Sequence, residues 1–421
     1  MHITILAHGS RGDVQPYIAL GMGLKKAGHS VRLAAPELFR SFVTEYGLDY
    51  SPLAGDPRDL MLSAVERAGG KPNLLRSIPV VLNYVTPIAL QVIEDARQAC
   101  RGADAIIHTL LTTTLGHEIA LQVGVPDFSA LVFPVFSPTT AFINPAFPTL
   151  PFGGWYNRLT HILFTQSYWL GGKAAYRWIT RGRHNVYPPL TGWPFASSKG
   201  RTTPILYGFS PHVLPKPSDW GEHVYVTGFW FLPAPVDWSP PVELMQFLQV
   251  GPPPVCISFG SIISRDAKWL TETVLEALDQ SGQRGILVTG WGGLTRADLP
   301  RSVFMLDSAP FEWLFPRSAA VVIHGGIGTT STAMQAGIPT VVIPFTADQT
   351  FWGEQVKRLG VGYRPIPRQK ITADNLARAI REVVSDPSMR LRANSLGQEL
   401  RLEDGVSNAV EIIEKECAIG I

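Results

Sequence analysis

Short apolar runs that do not alternate with polar residues recur along the chain, and each ends in a turn signal. Ile3 to Ala7 is the first, followed by the Gly-rich turn His8-Gly9-Ser10-Arg11-Gly12-Asp13. The pattern then predicts a helix from Pro16 to Ala27, with Gly28 as its stop, and a second strand from Val31 to Ala35. Strand, helix, strand in that order is a βαβ unit and implies a parallel sheet. The same rhythm returns at Ala105 to His108, at a helix near Gly116 to Val123, and at Phe128 to Val132. It resumes at Val255 to Phe259, Gly285 to Thr289, Ala320 to Ile323 and Thr340 to Ile343. β-Branched runs without alternation suit strands covered on both faces. Each half of the chain therefore reads as a doubly wound α/β domain.

Two segments depart from the rhythm. Phe231 to Pro254 is rich in Pro and Trp and reads as the linker, its prolines opposing helix and central strand. This places an N-terminal domain at 1–232 and a C-terminal one at 233–421. The segment from Phe133 to Phe195 is dense in aromatic residues with Arg158, Lys173, Arg177, Arg181 and Arg183 interleaved. So long an insertion is functional or poorly ordered.

Composition narrows the classes. A chain of 421 residues exceeds one ordinary core, and 45% hydrophobic with 17% charged residues describes a well-buried globular protein. The net charge of +2 gives no reason to expect a nucleic-acid partner. Cys100, Cys256 and Cys417 fit neither a zinc spacing nor a disulfide framework, which points to a reducing, cytoplasmic setting. No apolar stretch reaches the roughly 20 residues needed to span a bilayer. A soluble protein, or one held at a membrane surface, is expected.

The densest chemistry lies between Ile323 and Gln349. A buried strand ends at His324, Gly325 and Gly326 allow a tight turn, and Gly328, Thr329 and Thr330 open a helix. Unpaired N–H groups and the helix dipole make such a start an anion site. Hydroxyls of Thr329 and Thr330 add donors, and His324 can offer a ring N–H. No Lys follows the glycines, so this is not a P-loop. Taken alone, a Thr-capped turn is an equal reading. The next strand ends in Pro344-Phe345-Thr346-Ala347-Asp348-Gln349, and ligands bind at the carboxyl ends of adjacent parallel strands. Asp348 and Gln349 suit sugar hydroxyls, and Asp348 also suits a helix cap.

The stretch from His324 to Gln349 resembles the donor signature of the family that includes UDP-dependent glycosyltransferases. The turn from Gly9 to Pro16 resembles that of sterol 3β-glucosyltransferases and of glycopeptide-antibiotic glycosyltransferases. The resemblance implies the GT-B fold, two facing Rossmann-like domains with an interdomain cleft, the last helix crossing back to the first domain. It implies acceptor binding by the N-terminal domain and nucleotide-sugar binding by the C-terminal one. It further implies that His324, Gly326, Gly328, Thr329 and Thr330 hold a diphosphate and that Asp348 and Gln349 bind a hexose. Ser261 would lie near the phosphates, with Pro310, Phe311 and Trp291 about the nucleobase. Plant relatives carry a ribose-binding Glu where this chain has Thr332, which leaves UDP and dTDP both open.

An inverting transfer needs a base for the acceptor hydroxyl. Where plant-like relatives place a His, this chain has Asp13, which could alternatively cap the turn. His108 ends a strand near the place of the relatives' partner Asp, so a reversed Asp13–His108 pair and a purely structural His108 both stand. No Asp-x-Asp or His/Cys set is placed to bridge a diphosphate, so metal-independent transfer without a cofactor is expected. Trp155, Tyr156, Phe164, Tyr168, Trp169, Tyr176 and Trp178 form an apolar groove or ordinary core. With their basic neighbours they also suit a peripheral membrane contact. The leading expectation is transfer of glucose from UDP-glucose to a lipophilic acceptor such as a sterol. The alternatives are a dTDP-deoxysugar transferase acting on an antibiotic, polyketide or rhamnolipid-like acceptor, a nucleotide-sugar 2-epimerase, and a non-catalytic accessory protein.

Overall fold

The computed structural model describes residues 1–57, 88–183, 185–190, 192, 202–234, 238–260, 266–290, 294–295 and 299–420. Among these, one compact unit comprises the residues from Met1 to Leu232 together with those from Asp404 onward, and the other runs from Pro233 to Glu403.

The first unit is built on a parallel sheet whose strands are β1 (His2–Leu6), β2 (Ser30–Pro36), β3 (Asp49–Leu53), β4 (Ala105–His108), β5 (Asp127–Leu131), β6 (Ile205–Tyr207) and β7 (Val224–Val226). Their spatial order is β3-β2-β1-β4-β5-β6-β7. Leu6 pairs in register with His108, so the loops after β1 and β4 leave the sheet side by side. The helix Gln15–Lys26 follows the first turn with Pro16 in its opening positions. Leu6, Ala34, Ile106, Ile119 and Ala120 pack one face of the core with residues 96, 99 and 100. The late helix Gly405–Gly420 belongs to this unit. It is tied to the sheet by Asn408 Nδ2 donating to the Thr227 carbonyl at 2.8 Å and Tyr225 donating to Glu416 at 2.8 Å.

The second unit carries β8 (Val255–Ser258), β9 (Gly285–Val288), β10 (Val303–Leu306), β11 (Ala320–Ile323) and β12 (Thr340–Val342) in the order β10-β9-β8-β11-β12, all parallel. Ile257, Leu287, Val322 and Val341 pack against Leu270 and Val274 of one helix and Ala377 and Ile380 of another. The non-alternating runs are thus covered as their composition requires.

Two local expectations change. The Pro-rich stretch holds a helix, Val242–Gln249, because its prolines stand outside it and Pro241 serves as N-cap. The aromatic insertion contains a single 26-residue helix, Gly154–Ile179, preceded by Gly153 at φ +77°. Its side chains divide by face. Phe164 and Tyr168 stack inward with Phe136, and Tyr176 is buried, whereas Trp155 and Trp178 are exposed. No described helix is long and apolar enough to cross a membrane.

Candidate functional site

In the second sheet the chain builds outward from β8 in one direction and from β11 in the other. Ligands of doubly wound sheets bind outside the carboxyl ends at such a reversal. Ile323 pairs with Ser258 there, so the exits of the two strands are adjacent. Glycine makes this exit possible. Gly260 and Gly290 have φ of +61° and +59°, and a side chain on Gly290 would fall 2.2 Å from the Gly260 carbonyl oxygen. A Cβ on Gly260 or Gly326 would lie 2.8 or 2.4 Å from the His324 ring. The imidazole therefore folds back into space that only these glycines leave open.

Nδ1 of His324 is enclosed without a hydrogen-bond partner among the described residues, while the residue as a whole is only partly buried. Burial brings its pKa down to about 4, so the ring is neutral at pH 7. Between that value and the usual 6.5, the unfolded chain binds a proton that the folded one does not. The stability tied to the neutral ring is therefore complete above pH 6.5 and declines as the pH falls towards 4, by about 3 kcal/mol. Urea midpoints measured across that window should fall less steeply for His324→Asn than for the parent. Identical slopes would contradict a buried neutral ring.

Gly326 is the N-cap of the helix Ile327–Ala336. The N–H groups of Ile327, Gly328 and Thr329 precede the first intrahelical bond, which runs from Thr330 N to the Gly326 carbonyl at 2.9 Å. Gly328 is exposed, and a Cβ built on it meets nothing within 4 Å. Thr329 is half-buried at the same turn. Thr330 does not match the donor role expected of its hydroxyl. It is fully buried, and its Oγ1 donates to the Gly326 carbonyl at 2.9 Å, the usual back-bond of a helical Thr. Thr332 likewise donates to the Gly328 carbonyl at 2.9 Å.

The next strand exit adjoins this loop. Gly325 has φ +92°, and a side chain there would lie 2.9 Å from the Gln349 carbonyl oxygen. Gln349 Oε1 accepts from the N–H groups of Phe345 and Thr346 at 2.8 and 3.2 Å, and Asp348 Oδ1 accepts from the Thr346 hydroxyl at 2.7 Å. Thr346 is the N-cap of the helix Ala347–Arg358 and Gln349 closes its capping box, so Asp348 sits in the first turn and is not itself the cap. Pro310 caps the short helix Phe311–Leu314 after β10, and Phe311 stacks on Phe315 at 4.6 Å. Ser261 and Trp291 lie outside the described residues.

In the first unit, Asp13 closes the turn after β1. Its Oδ2 accepts from the Ser10 N–H at 2.8 Å and the Ser10 hydroxyl at 2.9 Å. Gly9, at φ +132°, leaves room for that carboxylate, which a Cβ would meet at 2.5 Å. Asp13 therefore does cap the turn.

His108 is fully buried, and its hydrogen-bond partner is Asp127 rather than Asp13. Asp127 Oδ2 receives His108 Nε2 at 2.9 Å, His117 Nδ1 at 2.7 Å and the Thr203 hydroxyl at 3.4 Å. Burial alone would raise the Asp127 carboxyl, but the two imidazole bonds hold it below its usual range. Burial lowers the pKa of His108. Among the described residues these three form the one group able to surround a metal ion, their ligand atoms lying within 4.8 Å of one another. Their 2.7 and 2.9 Å contacts are hydrogen-bond lengths. Sequence reasoning missed His117 and Asp127. The available signal was a His beside Gly116 and Ala120 on the inward face of a predicted helix.

Residues 3–106 match the glycosyltransferase family 28 N-terminal domain, and residues 287–415 the erythromycin biosynthesis protein CIII-like C-terminal domain. The O-mycaminosyltylonolide 6-deoxyallosyltransferase of Streptomyces fradiae is 37% identical over 427 residues, covering 99% of this chain and 97% of that protein. A sterol 3-beta-glucosyltransferase of Arabidopsis thaliana is 35% identical over 423 residues, but the chain covers 65% of its length. It covers 30% of the matching enzyme of Aspergillus clavatus, also 35% identical. Among solved structures, a kitacinnamycin glycosyltransferase superposes with a TM-score of 0.70 at 22% identity, with 98% of each chain covered. The glycosyltransferase VinC, solved with dTDP, gives 0.65 at 18% identity, covering 99% of this chain and 100% of that one.

Proposed function

The chain belongs to the GT-B glycosyltransferases that include sterol 3-beta-glucosyltransferases and antibiotic sugar transferases, and from that premise we propose that it transfers glucose from UDP-glucose, with inversion, to a hydroxyl of a lipophilic acceptor such as a sterol met at a lipid surface. The observation that carries the donor half is the bare helix start at Gly328. Three N–H groups precede the first helical bond, and open space lies over the one residue without a side chain. A diphosphate seated there gains the helix dipole and the backbone donors together. His324 lends a neutral ring N–H, Gln349 its amide nitrogen and Asp348 its carboxylate to the hexose. Pro310 and Phe311 meet the nucleobase, as do Ser261 and Trp291 the phosphates and base. Asp13 takes the proton of the attacking hydroxyl. Preorganised donors stabilise the departing diphosphate, so no metal is needed.

Gly328→Ala separates this reading from a plain helix cap. With nothing for the new methyl to strike, the fold should gain stability, by roughly 0.5–1 kcal/mol. UDP-glucose affinity, read by calorimetry, should nevertheless fall at least about tenfold as the methyl holds the phosphate off. Unchanged affinity would sink the diphosphate site. Product from a sterol acceptor should form in EDTA and carry the inverted anomeric configuration by NMR.

A second reading, transfer of a dTDP-deoxysugar, is supported by the near-complete coverage of the Streptomyces fradiae relative and by Thr332, which offers a nucleoside no carboxylate. Parallel titration with UDP-glucose and dTDP-glucose decides between them. Turnover of a UDP-sugar without any acceptor would favour the epimerase instead.

A further inference from the structure

From Phe128 to Ser218 the chain contains no Asp or Glu. The helix Gly154–Ile179 lies in the middle of that acid-free stretch and is apolar on both sides. Its inward side is explained by the core, where Tyr168 donates to the Leu110 carbonyl and His161 bonds the Phe142 carbonyl. Its outward side is not. Trp155, Leu159, Ile162, Leu163, Leu170 and Trp178 are all exposed, Trp155 at 64% and Leu170 at 61%. At 3.6 residues per turn the first five fall within about 100° of arc. Nearly half of the large exposed apolar residues described in the chain fall between Leu150 and Trp178. A contiguous patch of this kind on a globular protein marks a contact.

The charges around it indicate what it contacts. Arg177 is exposed on the same arc, Lys173 lies on it half-buried with its ammonium 5.7 Å from the Trp169 ring, and the exposed Arg181 and Arg183 follow at its end. Among the described residues no carboxylate pairs with Lys173, Arg177 or Arg181, whereas Arg158 stands 3.9 Å from Asp219 at the opposite end. Indole rings near both ends of the helix suit the boundary between headgroups and acyl chains. We infer that this face lies on an anionic lipid surface, its apolar side chains among the upper acyl chains and its cations on the headgroup phosphates. This gives a location to the lipid contact proposed above. It draws on the lipophilic acceptor only for its purpose, so membrane binding and sugar transfer can fail separately.

The test is flotation of the full-length protein with phosphatidylcholine vesicles, with and without phosphatidylglycerol. The parent should float with the phosphatidylglycerol vesicles and lose binding as NaCl screens the charges. Leu163→Asp/Leu170→Asp should reduce partitioning about tenfold or more, and Lys173→Glu/Arg177→Glu should do so to a similar degree. Both variants should keep the parent's thermal shift with UDP, showing that they fold. A parent that stays in the aqueous fraction at low salt overturns the inference. So does partitioning indifferent to the leucine pair. A parent dimer that becomes a monomer in Leu163→Asp/Leu170→Asp would also overturn it, because the face would then join two copies of the chain.

Discussion

Asp13→Asn should lower kcat by about 10²- to 10⁴-fold, the range for loss of a general base, with little change in thermal stability. The separation rests on the turn geometry. Asp13 Oδ2 accepts two bonds from Ser10, and the amide oxygen of Asn can accept both. What Asn cannot do is take the proton of the acceptor hydroxyl. Asp13→Ala loses the cap as well, so it should add a stability cost of about 1 kcal/mol to the same fall in rate. If Asp13→Asn turns over like the parent, the carboxylate is only a cap and the base lies elsewhere. The proposed donor site would be untouched by that result.

Asp127→Ala should produce the largest loss of stability, about 3–5 kcal/mol, as expected when one partner is removed from a buried charged cluster. The carboxylate joins the end of β4, the helix Thr113–Val123 and the start of β5 through a single oxygen. Without it, two imidazole N–H groups remain in a space where His108 and His117 are 0% and 1% exposed. Asp127→Asn keeps one acceptor but adds an NH2 group, so it should fall between the parent and Asp127→Ala. Chemical unfolding monitored by far-UV dichroism reads both. A loss below about 1 kcal/mol would mean that the cluster does not hold these elements together.

The sheets were legible in the sequence because fully buried parallel strands leave a simple trace. Ala320 to Ile323 is an uninterrupted apolar run that ends where its strand ends, and Ala105 to Ile107 is one that stops a residue short of its strand's end at His108. The Gly-rich turn and helix start from His324 to Thr330 were legible for a related reason, since their parts are contiguous and Gly325 and Gly326 announce the turn. The helix Gly154–Ile179 was not. Periodicity requires a polar face, and Trp155, Leu163 and Leu170 put apolar side chains where one would be. The role of Thr330 was equally hidden. A hydroxyl at a helix start can point outward or back to the preceding turn, and residue type does not decide which. His108 showed the limit of local reading most clearly, because its partner is set by the pairing of β4 with β5 and by helix packing, not by spacing.

The helix Gly405–Gly420 completes the first unit although the whole second unit separates it from Leu232 in sequence. Val406 and Val410 lie over Gly23, where a side chain would meet them at 2.2 and 3.3 Å. On the ribosome, where domains tend to fold as they emerge, this site on the helix Gln15–Lys26 stays bare while some 170 further residues are made. The first unit is therefore finished only after the second has been made.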